Sequence, residues 1–104
     1  MQRIAFKMQL HPGQEEVYKK RHDEIWGDLV ALLKGIGIEA YSIFLDERTL
    51  ELFAILHIKD PGLLDGLPEH AVMQKWWGYM SDIMEVNMDR SPVVIPLKEV
   101  FYLS

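Results

Sequence analysis

Residues Leu50 to Ile58 read "LELFAILHI". The run is short, rich in branched and aromatic side chains, and bounded by polar residues, which marks a strand. Alternation along a strand puts Leu52, Ala54, Leu56 and Ile58 on one face. The opposite face carries Phe53 and Ile55, so the strand is apolar on both sides. Such a strand needs two covers, and the fold turns on where they come from.

Immediately upstream, "AYSIFLD" (residues 40–46) is another strand-like run, joined to the first by the polar turn Glu47-Arg48-Thr49, and the two form a hairpin. Further back, Ile4, Phe6, Met8 and Leu10 alternate with Arg3, Lys7 and Gln9, predicting a half-buried strand over residues 3–10. "HPGQEE" ends it, and Glu15 and Glu16 suit the first turn of a helix, whose dipole favours acids. Ile25, Leu29, Leu32 and Ile36 recur at helical spacing, predicting one helix from there to about Lys34, stopped by Gly35 and Gly37. Downstream, "DPGLLDGLPEH" is a loop with room for one helical turn. From Glu69 a second helical stripe runs through Met73, Trp76, Trp77, Met80, Ile83 and Met84. "NMDRSPVVIP" is irregular, with Pro92 and Pro96, and "LKEVFYL" (residues 97–103) reads as a fourth strand.

The order β-α-β-β-α-β packs most economically as a ferredoxin-like α+β fold, a four-stranded antiparallel sheet with two helices on one face. The whole chain, residues 1–104, is then one domain. Its helices cover one face of the Leu50–Ile58 strand. A second copy of the chain is the simplest cover for the other, which predicts a symmetric homodimer, sheet against sheet.

Composition narrows the function. Asp and Glu total 16 against 11 Lys and Arg, a net charge of −5, whereas a nucleic-acid binder presents a basic face. The absence of cysteine excludes disulfides and thiolate metal or redox sites. No run approaches the ~18 apolar residues of a membrane helix. "MQRIAFKMQL" lacks the continuous apolar core of a signal peptide, so a cytoplasmic protein with no membrane partner is expected. The four histidines, His11, His22, His57 and His70, show neither H-x-H nor H-E-x-x-H spacing, and no metal site is expected. Neither a triad order nor a Gly-rich phosphate loop opening a helix is present.

What remains is a set of rings. Extended backwards, the first helical stripe passes through His22 and then Tyr18, four residues apart and neighbours on one face. Taken alone, the pair reads more readily as a polar rim of the core. Tyr41 opens the second strand on the face of Ile43 and Leu45, and Trp76 and Trp77 sit ~100° apart on the second helix. Such tryptophans are often plain core. Together, though, these five residues would wall a cleft between helices and sheet. Aromatic faces attract the C–H face of a sugar ring, while hydroxyl, indole and imidazole groups bond its hydroxyls. No Lys or Arg lies on the inward stripes, which favours a neutral hydroxylated ligand. His22, with an ordinary pKa of ~6.5, can move protons near neutrality.

The segments "AFKMQL", "YKKRHDEIW", "AYSIFLD", "QKWWGYMSDIM" and "EVFYL", in collinear order over nearly the whole chain, closely resemble the L-rhamnose mutarotases. The paired tryptophans and the Y-x-x-x-R-H pattern carry the likeness most specifically. The resemblance implies a dimeric α+β barrel that interconverts the α and β anomers of L-rhamnose without a cofactor. It further implies His22 as proton donor, with Tyr18, Tyr41, Trp76 and Trp77 binding the sugar. Anomer exchange also needs a group to accept the anomeric proton: a Tyr hydroxyl, a water, or the imidazole acting in turn. Two other readings fit the residues. One is a haem-binding or cofactor-free monooxygenase on the same dimeric fold, and the other is a binding module without catalysis.

Overall fold

The computed structural model describes all of Met1–Ser104. Strand β1 (Gln2–Gln9) is followed by helices α1 (Glu15–Asp23) and α2 (Gly27–Gly35). Strands β2 (Ile38–Leu45) and β3 (Glu51–Ile58) come next, then a 3₁₀ segment Pro61–Glu69, helix α3 (Ala71–Met80) and strand β4 (Ile95–Leu97). The sheet is antiparallel with order β2-β3-β1-β4, and β3 sits inside it, paired along its length with β1 (Met8 opposite Leu52, Ile4 opposite Leu56). The helices cover one face. Leu52, Ala54, Leu56 and Ile58 of β3 are fully buried there, with Leu29 of α2 and Met73, Trp76 and Met80 of α3 in the same interior. Burying each such aliphatic side chain stabilises the fold by roughly 1.5–3 kcal/mol. The ferredoxin-like α+β reading therefore holds, with Phe53 and Ile55 on the uncovered face.

Three elements differ from expectation. The second helix, read from Glu69 through Met84, ends at Met80, and the buried Ile83 and Met84 follow in a turn and an isolated bridge to Leu10. The single helix predicted to run to Lys34 is broken in two. Trp26 is extended (φ −65°, ψ 136°), and Val30 N–H donates to its carbonyl to open α2. Gly27, a weak helix former, follows the break, and Asp28 lies in the new first turn where the dipole favours it. Ile25 and Trp26 still pack on the core and Leu29 is buried. The inward stripe thus crosses the break undisturbed, so its period could not disclose it.

The fourth strand is Ile95–Leu97, not residues 97–103. Ile95 pairs with Lys7 and Leu97 with Ala5, on the sheet edge where Pro96 is tolerated. Continued past Leu97, the ladder would soon run off the start of β1. Arg3 instead holds the tail through its side chain, donating to both carboxylate oxygens of Glu99 at 3.0 and 3.1 Å and lying 3.3 Å from the centre of the Tyr102 ring. Val100, Phe101 and Leu103 are left facing solvent.

Candidate active site

Helix α1 places Tyr18 and His22 one turn apart, and their rings stack at 4.3 Å, 27° between planes. Tyr18 is buried, and Trp76, from α3, meets His22 in a T-shaped contact at 5.4 Å and 88°. These three residues form one continuous ring cluster. His22 Nδ1 lies 3.0 Å from the Tyr18 carbonyl oxygen, a contact in which only the nitrogen can donate.

Tyr41 follows directly on a defect in β2. Glu39 pairs with His57 and Ser42 with Ile55, so Ala40 and Tyr41 together stand opposite Leu56 alone, a bulge. Ala40 adopts φ +51° to make it, a conformation costing an L-residue roughly 1–2 kcal/mol. The bulge also brings Ile38, Ile43 and Leu45 to the same helix-covered face, although simple alternation would separate the first from the others. Tyr41 leaves 39% of its surface exposed, yet its hydroxyl lies inside, where burial pushes its pKa up to about 12. Burial also raises the Tyr18 pKa well above its ordinary value, and the Tyr41 hydroxyl raises it further. The two tyrosines are therefore electrostatic neighbours, and both stay protonated near neutrality.

Burial moves His22 the other way, below its ordinary value, against smaller raising effects from the Tyr18 carbonyl and Asp23. Its imidazole is neutral at pH 7. Trp77 is half-buried and packs on the core cluster, while Trp76 is only 6% exposed.

Two aromatic members were not singled out from the sequence. Trp26 meets Trp76 edge-on at 5.1 Å, and Tyr79 stacks on Trp26 at 5.6 Å and lies 5.8 Å from Trp76. Both carried a signal: Trp26 is four residues beyond His22, and Tyr79 three beyond Trp76. Arg21 fastens this side. It donates to the Tyr79 carbonyl at 2.6 Å and to Asp82 at 2.9 Å, with its guanidinium 4.2 Å from the Tyr79 ring centre. The next residue, His22, is thereby held against α3. A surface groove of about 400 Å³ runs outside this clasp, lined by Val17, Lys20, Arg21, Glu24, Trp26 and Tyr79. It shares Trp26 and Tyr79 with the ring cluster, but His22 does not line it.

With this geometry in hand, the family comparison is decisive: residues 3–103 match the family model for L-rhamnose mutarotase. The chain belongs to the L-rhamnose mutarotase family. It is 54% identical over 104 residues to the L-rhamnose mutarotase of Sinorhizobium fredii, covering 100% of both chains. Against that of Acidiphilium cryptum it is 53% identical over 103 residues, 99% of each. The crystal structure of the L-rhamnose mutarotase from Formosa agariphila superposes with a TM-score of 0.93 at 48% identity, covering 100% of both chains. An antibiotic biosynthesis monooxygenase shares the fold alone, with a TM-score of 0.62 at 15% identity over 96% of this chain and 99% of its own. The monooxygenase reading thus rests on a distant fold likeness and nothing closer.

Proposed function

We propose that the protein interconverts the α and β anomers of L-rhamnose, as a cytoplasmic homodimer and without a cofactor. The observation that carries this reading is His22, neutral and half-buried, packed between Tyr18 and Trp76 in a chain belonging to the L-rhamnose mutarotase family. Exchange requires the ring C–O bond to break, the anomeric hydroxyl to lose its proton and the ring oxygen to gain one. The aldehyde then turns about one bond and recloses. The C–O cleavage is driven by the two proton transfers, and a positioned imidazole accelerates those. Tyr18 and Tyr41, protonated, donate hydrogen bonds to sugar hydroxyls.

The two tryptophans take different parts. Trp76 is hemmed in by His22, Trp26 and Tyr79 and forms a wall, while Trp77 has the freer surface and serves as the platform for the sugar. Trp76→Ala is expected to cost about 3–5 kcal/mol of stability, read by thermal unfolding. Trp77→Ala should cost less stability and raise KM. A wild-type KM in Trp77→Ala would reduce that residue to packing.

The direct test of the activity uses L-rhamnose at anomeric equilibrium. Saturating the NMR signal of one anomeric proton should attenuate the other in proportion to added protein. No transfer beyond the protein-free rate overturns the reading.

A further inference from the structure

A neutral imidazole has one N–H, and here its place is settled by its partner. Nδ1 of His22 is 3.0 Å from the Tyr18 carbonyl oxygen, which can only accept. Nδ1 therefore carries the proton, and Nε2 keeps a lone pair. Few groups compete for the proton chemistry. On α1, Tyr18 stacks on the ring and Asp23 adjoins it, but Asp23 is exposed and accepts from Lys19 at 2.7 Å. On β2, Tyr41 lies beside Tyr18, and burial makes both hydroxyls weak acids. On α3 the ring meets Trp76, which carries no charge.

We infer that His22 enters the reaction as the base, and that the same Nε2 then acts as the acid, so that one imidazole makes both proton transfers. This rests on the mutarotase reading. Nε2 takes the proton of the anomeric hydroxyl, and the C1–O1 bond becomes the aldehyde carbonyl. The C1–O5 bond breaks, its electron pair leaves with O5, and the imidazolium returns the proton to O5. Reclosure reverses each step on the other face of C1. O1 and O5 hang from the same carbon, so one nitrogen serves both, and Nδ1–H stays on the Tyr18 carbonyl throughout. The Tyr18 backbone thereby acts as a positioning group that selects the tautomer.

Three measurements on the intact protein test this. In ¹⁵N spectra at neutral pH, His22 should show a protonated Nδ1 and a bare Nε2, and the opposite tautomer overturns the proposal. The exchange rate should fall as pH drops through a single ionisation below ~6.5 and stay level above it. A rate that instead rises toward acid, or a bell-shaped profile, overturns it. In mixtures of light and heavy water the rate should vary linearly with deuterium fraction, since a single shuttle moves one proton at a time. A bowed dependence reveals two groups acting together and overturns it. No acceleration at any pH would remove the mutarotase reading itself, and the shuttle with it.

Discussion

His22→Ala is expected to leave a folded protein whose anomer exchange is slower by about 10²- to 10⁴-fold, the usual contribution of a positioned general acid–base group. The fold should survive because the imidazole is half-buried at the edge of the core, and its one bond goes to a carbonyl that α1's own ladder also uses. Loss should appear in kcat more than in KM, since Tyr18, Tyr41 and Trp77 remain to hold the sugar. The drop in rate at low pH should disappear with the side chain, and added free imidazole should restore part of the activity. Saturation transfer on wild type and variant, beside their thermal unfolding, decides the matter. A folded His22→Ala protein exchanging at the wild-type rate would falsify the assignment and send the search to the tyrosines.

Ile55→Asp is expected to convert a dimer into a monomer. Ile55 stands on the sheet face that no helix covers, opposite Ala5 on β1 and Ser42 on β2. Phe44, Ile95 and Leu97 extend the apolar surface on that side, and all four residues are 38–62% exposed in the single chain. A contiguous apolar face of this kind marks an interaction site. A two-fold axis would bring each copy's Ile55 into the same interface, so one substitution buries two carboxylates without partners. The effective penalty is several kcal/mol per ion, enough to lower association by orders of magnitude. Within one chain the aspartate costs little, because the position is already open to water. Sedimentation at micromolar concentration should show wild-type dimers and variant monomers. Undiminished association in Ile55→Asp would place the interface elsewhere.

Much of the fold is legible because strand alternation and helical period report which side chains face the interior. Leu52, Ala54, Leu56 and Ile58 are buried as their alternation requires, the hairpin falls where its pattern lies, and the helix carrying Trp76 starts within its pattern but stops at Met80, short of Met84. The broken helix and the fourth strand are missed for a common reason. Period records facing, not direction, so a helix that turns a corner at Trp26 while keeping its stripe inward looks continuous. Likewise "LKEVFYL" has strand composition, but a strand needs a neighbour: beyond Leu97 β1 offers only Ile4, Arg3 and Gln2, and Arg3 engages the tail through its side chain.

The candidate site divides along the same line. From the sequence alone came the helical neighbours Tyr18 and His22, the paired tryptophans, Tyr41 and the family likeness. The tertiary structure alone decided that Trp76, not Trp77, meets His22, and that a bulge at Ala40 breaks β2's alternation just before Tyr41. It also added Trp26, Tyr79 and the Arg21–Asp82 clasp. Those depend on contacts between residues far apart in the chain, which no local pattern encodes. Side-chain rotation lies equally beyond the sequence: spacing puts His22 beside Tyr18, but only the folded environment turns Nδ1 toward the carbonyl and leaves Nε2 free.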